Sequence, residues 1–291
     1  SYQTAGAVKP EVAVMLNFYP DHLDWHVTEQ TYFDDKSALI RHGQPLHAVL
    51  NRDAPRVAAL ADGLQSDVCW FNDESSWHAR GNMLHRGETP VLDLRELPMP
   101  GQHNAGNVCA ALAAIDALGL DAMALAMAVK SFQPLPHRLQ NIGTHAGIRY
   151  VNDSISTTPY ASIAALECFT HEPVAILVGG YDRGLDWDAF VEYVSIKPPK
   201  AIICMGQNGP RIAERLREVP AAGFVLIEAH NLAQALDAAQ AELSDGGVVL
   251  LSPGAPSFGA YTDYVARGRH FAELAGFDPN AISRIPGLGL S

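Results

Sequence analysis

The stretch that decides the fold spans residues 134–159 and reads P-L-P-H-R-L-Q, a short turn over 141–147, and then I-R-Y-V-N-D-S-I-S-T-T-P. The apolar run at 148–151 predicts a buried strand. A carboxylate and four hydroxyls follow it over 153–158, and Pro159 suits the first turn of a helix with Thr158 as its N-cap. Such a polar loop between a strand and a helix is where α/β proteins hold phosphates or carboxylates, although an ordinary capped turn has the same composition.

Length and composition indicate a globular protein of two domains. The chain has 291 residues, of which 48% are hydrophobic, and two ordinary domains fit that length. No apolar run approaches the ~20 residues that span a bilayer, and the first ten residues are polar, unlike a signal peptide. We therefore expect a cytoplasmic protein without membrane insertion. The four cysteines are far apart in apolar surroundings, which favours buried thiols over disulfides or a metal cage.

The charge of the chain limits its partners. The formal net charge is −12, which argues against a general nucleic-acid binder. A nucleotide site remains compatible with this charge, because a few local hydrogen-bond donors suffice for one.

Strand-like and helix-like segments alternate along the chain, and this predicts an α/β fold. Strands at 174–178 and 248–251 are continuously apolar, as expected when helices cover both faces of a parallel sheet. The pattern predicts single helices over 122–132 and 258–275. A boundary falls near 134–136, which predicts one domain over 1–134 and a Rossmann-like domain with a mostly parallel sheet over 135–291.

Two polar clusters in the first part of the chain are candidate sites. Asn17, Asp21, His22, Asp24 and His26 follow the predicted strand at 12–16, and this oxygen-rich group suits Mg²⁺ better than Zn²⁺. A solvated loop with a satisfied histidine is the alternative. Lys36 follows two acids on a predicted helix, where a lysine usually belongs to a solvated face.

Three further clusters lie at predicted helix starts or strand ends. Asn104 and Asn107 share one face of an Ala-rich helix, where they can read the edge of a base or cap the helix. Residues 179–184 (G-G-Y-D-R-G) follow a strand, and Arg183 there can hold a carboxylate. Residues 252–258 (S-P-G-A-P-S-F) place hydroxyls before the helix predicted from 258. Three polar strand ends favour one shared crevice over three ordinary turns.

Seven motifs taken in order resemble the Mur ligase family. They are N-x-x-x-D-H-L-D, a lysine fourteen residues after its histidine, P-G-Q-H-N-x-x-N, L-P-H-R-L, N-D-S-x-x-T, G-G-x-D-R-G and S-P-x-x-x-S-x-x-x-Y-x-x-Y-x-x-R-G. Each motif alone is weak, but seven in order across the chain are specific. The similarity is to the MurD type, which adds glutamate to UDP-N-acetylmuramoyl-L-alanine in peptidoglycan synthesis.

The resemblance implies a fold, a reaction and site residues. It implies part of a P-loop-type central ATPase domain followed by a glutamate-binding domain, a monomer, and ATP and Mg²⁺ as cofactors. The implied metal-binding and catalytic residues are His22 and Lys36, with Lys36 as a carbamate. The implied nucleotide-binding residues are Asn104, Asn107, Arg138 and Asp153. The implied glutamate-binding residues are Thr157, Arg183, Ser257, Phe258 and Tyr264, with Arg183 standing where typical members carry lysine.

Two departures from the family pattern carry expectations of their own. The printed chain contains no G-x-x-x-x-G-K-[ST], so we expect it to be the C-terminal part of a longer protein and to release no ADP by itself. Ile155 stands where ligases for D-glutamate carry lysine. A branch of the family that adds L-glutamate resembles the chain in that motif and in G-Y-D-R-G, and the sequence favours this branch slightly.

Three other functions are less compatible with the sequence. A nicotinamide-dependent dehydrogenase would carry G-x-G-x-x-G and a following acid. A non-catalytic binding module would not need His22, Lys36, Arg138 and Asp153. Other Mur ligases and folylpolyglutamate synthetase typically carry D-Y-A-H-x-P where this chain has N-D-S-I-S-T-T-P.

Overall fold

The computed structural model describes residues 8–19, 23–220 and 223–284. The chain divides into two compact units, Ser1–Phe132 and Gln133–Ser291. Each unit is built on one six-stranded sheet. The α/β class predicted from the sequence is confirmed, and the second sheet is mostly parallel, as expected.

The sheet of the first unit follows chain order from β1 to β6. The first three strands are parallel, one residue pair joins β3 to β4 in parallel, and β4 to β6 are antiparallel. The strands are β1 (Val12–Met15), β2 (His47–Asn51), β3 (Asp67–Phe71), β4 (Trp77–Arg80), β5 (Met83–Arg86) and β6 (Thr89–Asp93). The helices are α1 (Leu23–His26), α2 (Glu29–Arg41), α3 (Pro55–Ala58), α4 (Gln102–Ala117) and α5 (Ala122–Leu125), with 3₁₀ turns at Ala59–Ala61, Leu94–Glu96 and Ala126–Ser131.

Alternating side chains of β2 place helices on both faces of this sheet. Val49 belongs to the core beneath α4, while Ala48 and Leu50 belong to the core beneath α2. Successive side chains of a strand point to opposite faces, so a short apolar strand supplies both cores. The buried residues of α2, Phe33 and Ile40 among them, face the second of these cores.

The sheet of the second unit has the order β11-β10-β9-β12-β8-β7 and is parallel except for β7. Its strands are β7 (Gln140–His145), β8 (Ile148–Asn152), β9 (Val174–Val178), β10 (Ala201–Cys204), β11 (Val225–Glu228) and β12 (Gly247–Leu251). Its helices are α6 (Pro159–Glu167), α7 (Asp188–Ile196), α8 (Gly209–Arg217), α9 (Leu232–Glu242) and α10 (Tyr264–Leu274), with a 3₁₀ turn at Ala281–Ser283. Every residue of β9 is buried, which explains its unbroken apolar sequence.

Three local predictions were wrong. Most of the turn expected over 141–147 belongs to the edge strand β7, which pairs with β8. Ala146 and Gly147, with φ values of 51° and 79°, form the turn that joins the two strands. Two positive φ values give the tight turn that hairpins favour. The helix expected over 122–132 is one α-helical turn followed by a 3₁₀ helix. The helix expected from 258 begins at Tyr264, because Gly259 has a φ of 82° and Asp263 caps the helix by accepting from the Ala266 N–H.

Among the described residues, no helix has the length and apolar character needed to cross a membrane.

Candidate functional site

A cavity of about 450 Å³ opens in the first unit where β1, β2 and β3 end. Its walls come from the segments that follow these strands and from the first turns of α4. They include Leu16 to Tyr19, Asn51, Asp53 to Val57, Phe71, Asn72, Gln102, His103, Gly106 and Asn107. The carboxyl edge of a parallel sheet is the usual place for a ligand in α/β proteins, and the volume suits a small molecule of nucleotide size.

Two asparagines fix the strand ends around this cavity. Asn51 donates from Nδ2 to the carbonyl of Leu16 at 2.8 Å, and Asn72 donates from Nδ2 to Asn51 Oδ1 at 3.0 Å. Asn51 Oδ1 also accepts from the Asp53 N–H at 3.0 Å. The loops after three strands are thereby tied into one wall. Sequence reasoning missed both residues, although an amide at the end of two successive strands was a usable signal.

The N-terminus of α4 forms part of the cavity wall. Its N-cap is Gly101, with a φ of 100° and no side chain to satisfy the first N–H groups. Gln102 and His103 in the first turn line this cavity and a neighbouring polar one of about 430 Å³. A helix N-terminus favours an anion. This arrangement is suited to a negatively charged ligand.

Asn104 and Asn107 play different parts on α4. Asn104 is buried; it donates from Nδ2 to the Pro100 carbonyl at 2.7 Å and accepts from Asn107 Nδ2 at 3.3 Å. Asn107 lines the cavity, while Asn104 is not among its lining residues. The alternative that these asparagines cap the helix is wrong, because Gly101 is the N-cap. The structure instead places Asn104 behind Asn107, in a position to orient its amide.

The predicted metal cluster is only partly described. His22 and Asp21 lie outside the described residues, and Asn17 is exposed on the cavity wall. Lys36 is exposed on α2, with Nζ 5.1 Å from the centroid of the Tyr32 ring, and it is not among the residues that line the cavity. His26 pairs with Asp35 at 2.8 Å. An ammonium repels a cation, so Lys36 fits a magnesium site only after carbamylation turns it into an oxygen ligand.

Asp153 is the buried centre of the polar loop after β8. Its Oδ2 accepts from Ser252 Oγ at 2.7 Å, and its Oδ1 accepts from the Leu139 N–H at 3.1 Å. Ser252 Oγ also lies 3.2 Å from Ser156 Oγ, which accepts from the Gly254 N–H. Burial raises the pKa of Asp153 to about 6, although these hydrogen bonds lower it. The network joins the loops after β8 and β12.

Arg138 is exposed, and its positive charge lowers the pKa of Asp153. The preceding His137 is 1% exposed and has a φ of 62°. Its Nδ1 lies 2.9 Å from Asn152 Nδ2, and its Nε2 lies 3.1 Å from Ser283 Oγ. Burial and the charge of Arg269 lower the pKa of His137 to about 4. Sequence analysis assigned His137 no role beyond its place in a motif, because only the fold brings its partners together.

Two of the five residues predicted to bind glutamate lie on one cavity. Ser257 and Phe258 line a largely apolar cavity of about 460 Å³ in the second unit, where β9, β10 and β11 end. Phe258 is 60% exposed, and its ring lies in a T-shaped arrangement with the ring of Tyr181, with 6.3 Å between the centroids. The helix-start role expected for Ser257 is wrong, because α10 begins seven residues later.

The other three predicted residues, Thr157, Arg183 and Tyr264, are not among those that line this cavity. Thr157 and Arg183 are half-buried, and Tyr264 is 38% exposed. The carbonyl of Tyr264 accepts a hydrogen bond from Ser154 Oγ at 2.8 Å. The rings of Tyr264 and His137 form a T-shaped pair with 5.9 Å between their centroids. Tyr264 is thereby held against the polar loop after β8.

The paired glycines after β9 are required by backbone packing. A Cβ at Gly179 would lie 2.1 Å from the Met205 carbonyl oxygen, and one at Gly180 would lie 2.5 Å from the Pro256 carbonyl oxygen. The G-G motif thus brings three loops together, and both glycines also line the 460 Å³ cavity. From the sequence, this motif was either an ordinary tight turn or a place where a ligand approaches the backbone. The observed geometry is compatible with both interpretations.

The R-G pair in α10 also has a structural role. Arg267 is 2% exposed and donates to the carbonyls of Ser154 and Ala255 at 2.8 and 3.0 Å. A Cβ at Gly268 would lie 2.2 Å from His137 Nδ1. Arg267 therefore holds the loop after β8 against α10, and Gly268 leaves room for the buried imidazole of His137.

Comparison with family models identifies both units. Residues 1–115 match the model described as Mur ligase middle domain. Residues 137–254 match the model described as Mur ligase, glutamate ligase domain. The chain belongs to the Mur ligase family. The resemblance drawn from seven motifs is confirmed.

Two curated relatives show how far this Mur ligase similarity extends. The chain is 54% identical over 296 residues to UDP-N-acetylmuramoyl-L-alanine--L-glutamate ligase of Xanthomonas campestris, an alignment that covers 100% of the chain and 63% of that relative. A relative with the same printed name from Micromonospora is 36% identical, with 94% of the chain and 61% of the relative covered. The chain thus spans less than two thirds of the length of these relatives.

Solved Mur ligase structures share the fold. MurF from Acinetobacter baumannii has a TM-score of 0.68 at 20% identity and covers 87% of the chain and 59% of its own length. MurF from Thermotoga maritima, solved in complex with ADP, has a TM-score of 0.64 at 16% identity and covers 94% and 63%. At this level of identity the similarity establishes the fold of the chain alone.

Proposed function

We propose that this chain is the ATP-binding and glutamate-binding part of a ligase that adds L-glutamate to UDP-N-acetylmuramoyl-L-alanine in peptidoglycan synthesis. The observation that carries the proposal is 54% identity, over the whole chain, to a relative that bears this name. We assign residues 1–134 to the central ATP-binding domain and 135–291 to the glutamate-binding domain. We further propose that the protein acts as a cytoplasmic monomer.

The cavity at the ends of β1 to β3 is our candidate for the nucleotide base. Asn107 supplies an amide with one donor and one acceptor edge at its wall, and buried Asn104 orients that amide. The positive end of the helix dipole at the start of α4 favours the negative charge of a phosphate. By family resemblance, Arg138 and Asp153 are also proposed as nucleotide-binding residues. In T. maritima MurF, the bound nucleotide is ADP.

ATP, when bound, supplies the phosphoryl group that converts the substrate carboxylate into an acyl phosphate. The amine of glutamate then attacks the carbonyl carbon, the C–O bond to phosphate breaks, and the nitrogen loses a proton as the amide forms. This chemistry depends mainly on positioning and charge stabilisation. The chain's own contribution is therefore to bind, orient and neutralise the reacting groups.

Mg²⁺ is the second cofactor in this proposal, with His22 and carbamylated Lys36 as its ligands from the chain. Lys36 is exposed on α2, so carbon dioxide can reach its amine. Carbamylation removes a positive charge and adds two oxygen atoms of the kind that Mg²⁺ prefers.

The second unit would hold the incoming glutamate. Thr157, Arg183, Ser257, Phe258 and Tyr264 are assigned to this role by resemblance. A guanidinium pairs with a carboxylate through two parallel hydrogen bonds, which is the role proposed for Arg183. Ser257 and Phe258 supply a hydroxyl and an apolar face at the 460 Å³ cavity.

Addition of D-glutamate is the second candidate, because both enantiomers carry the same groups. Ile155 favours the L-enantiomer, because the family resemblance aligns this position with a lysine of the ligases for D-glutamate. Ile155 is half-buried in this structure, and its N–H donates to the His137 carbonyl at 3.2 Å. A non-catalytic binding module is a distant third candidate.

Amino-acid incorporation by the full-length protein tests the proposal. ATP, Mg²⁺ and UDP-N-acetylmuramoyl-L-alanine are supplied with L- or D-glutamate, and the product is measured by mass. Product with L-glutamate supports the proposal, product with D-glutamate alone supports the second candidate, and no product with either supports the third.

A further inference from the structure

Three potential metal ligands meet at the start of β2 and β3. His47 and Asp67 are the first residues of these parallel strands and are partners in the ladder, and Cys69 lies two residues further along β3. Residues two apart on a strand share a face, so all three side chains project from one side of the sheet. Their ligand atoms all lie within 4.8 Å of one another. Among the described residues, these three form the group of histidine, cysteine and acidic side chains close enough together to hold a metal ion.

The spacing approaches that of a tetrahedral site. Zinc binds nitrogen and carboxylate oxygen at ~2.0–2.2 Å and sulfur at ~2.3 Å, which places neighbouring ligand atoms roughly 3.3–3.7 Å apart. His47 Nδ1 lies 3.3 Å from Asp67 Oδ2, already within this range. The ligand atoms of all three residues lie within 4.8 Å of one another, so closure onto an ion requires the two remaining pairs to approach by roughly 1 Å.

A second observation points independently to a ligand. His47 Nδ1 is buried and makes no hydrogen bond, because Asp67 Oδ2 is near enough but poorly aligned. Buried polar atoms in folded proteins are nearly always paired. An imidazole nitrogen directed into a group that also holds a carboxylate and a thiol is arranged as a metal ligand is.

The surroundings leave these three residues as the ligand set. Asp116, at the end of α4, is near enough to Cys69 to raise its pKa, but it already accepts from Trp77 Nε1 at 2.7 Å and pairs with Arg86 at 3.1 Å. Asp67 has 74% of its side chain exposed, so water can reach a fourth position. One carboxylate and one thiolate would neutralise a divalent ion.

The group is separate from the nucleotide cavity. His47 begins β2 and Asn51, at the cavity, ends it. Four residues of strand span ~13 Å. The ligand types also differ, because a thiol disfavours Mg²⁺ and suits a softer divalent ion.

We propose that His47, Asp67 and Cys69 form a binding site for a zinc-class divalent ion, which joins β2 to β3 at the edge of the sheet away from the nucleotide cavity. Water supplies the fourth ligand. The site holds the two strands in register and stabilises the first unit.

A reactive cysteine would be a different use of Cys69. Burial, followed by the charges of Asp67 and Asp116, raises the pKa of the Cys69 thiol. A nucleophilic cysteine needs the opposite change. A bound divalent ion, by contrast, deprotonates a thiol that coordinates it, and the carboxylate of Asp67 beside Cys69 attracts such an ion.

Cobalt titration of this chain tests the site, because Co²⁺ replaces Zn²⁺ and gives a thiolate charge-transfer absorption. We expect one equivalent of Co²⁺ with this absorption, displaced by Zn²⁺, and a rise in melting temperature with Zn²⁺. Cys69→Ser should abolish the absorption, and His47→Gln should weaken binding at least about tenfold while keeping the thiol. Cys168→Ser, which removes another half-buried thiol, should change neither.

The proposal is overturned if the unsubstituted chain gives no charge-transfer absorption with excess Co²⁺. It is also overturned if the absorption persists in Cys69→Ser, or if His47→Gln binds Co²⁺ as tightly as the unsubstituted chain. Circular dichroism of each variant without metal identifies any variant that fails to fold. If one of His47→Gln and Cys69→Ser fails to fold, the other still tests the proposal.

Discussion

Ser252 donates a hydrogen bond from Oγ to Asp153 Oδ2 at 2.7 Å, and both residues are at least 95% buried. Ile155 lies two residues after Asp153, and its N–H donates to the carbonyl of buried His137. A carboxyl group and an imidazole with opposite responses to pH are thus held in one loop cluster. Their effects on folding can be separated by substitution.

The pH dependence of stability should reverse between two single variants. The pKa of Asp153 is about 6 in the folded chain against 3.8, so its stabilising contribution is complete below pH 3.8 and is lost as pH rises through about 6. The pKa of His137 is about 4 against 6.5, so its contribution is present above pH 6.5 and is lost as pH falls through about 4. Each effect corresponds to ~3 kcal/mol, and they oppose each other.

Urea unfolding between about pH 4 and about pH 7 measures this pair. Relative to the unsubstituted chain, Asp153→Asn should gain ~3 kcal/mol of unfolding free energy as pH rises, and His137→Gln should lose a similar amount. Slopes of the same sign in both variants would contradict the assignment of these pKa shifts.

The two asparagines of α4 should respond differently to truncation. Asn107→Ala removes an amide from the cavity wall and should weaken ADP binding by the full-length protein about tenfold with little change in melting temperature. Asn104→Ala leaves the Pro100 carbonyl without its partner and should cost ~1–3 kcal/mol of stability. Calorimetric titration with ADP and thermal melting measure the two effects. If Asn107→Ala binds ADP normally, the nucleotide lies elsewhere.

Lys36 should matter for catalysis and little for folding. It is exposed, so Lys36→Ala should leave the melting temperature within about 2 °C. Ligase activity should fall at least about 100-fold, because the anionic oxygen ligand is lost. Lys36→Arg is the matched control, since it keeps the positive charge but cannot be carbamylated, and it should be equally inactive. An active Lys36→Arg enzyme would rule out the carbamate.

Gly179 and Gly184 form a matched pair with positive φ values of 104° and 71°. Only Gly179 faces a backbone carbonyl at 2.1 Å, while Gly184 has nothing within 4 Å. Gly184→Ala should therefore cost ~1 kcal/mol for strain alone, and Gly179→Ala should cost at least ~3 kcal/mol. Chemical denaturation gives both values. Equal costs would mean that the loops after β9 and β10 do not pack as closely as described.

Patterns that depend on neighbouring residues in sequence were predicted successfully. The N-cap of α6 is Thr158, with Pro159 in its first turn, because a cap needs only a few consecutive residues. Strand β9 was predicted with its correct bounds, because five buried apolar residues in a row leave little choice. Two of the three failed local predictions involve positive φ values at Ala146 and Gly259, which apolar periodicity does not reveal.

Groups assembled from distant segments were beyond sequence reasoning. The Asn51–Asn72 hydrogen bond and the His47–Asp67–Cys69 group each join residues about twenty positions apart through strand register. The sequence suggested only that the cysteines were buried thiols. Half-buried Cys69 acquires His47 as a neighbour from β2, and no spacing rule for metal sites connects these two positions.

Competition between the glutamate enantiomers tests the central claim most directly. Full-length protein is supplied with ATP, Mg²⁺ and UDP-N-acetylmuramoyl-L-alanine together with equal amounts of isotopically labelled L-glutamate and unlabelled D-glutamate, and the mass of the product is measured. We predict a product that carries the L-glutamate label and formation of one ADP per amide bond. A product that carries only unlabelled D-glutamate, or no product at all, would contradict the proposed function.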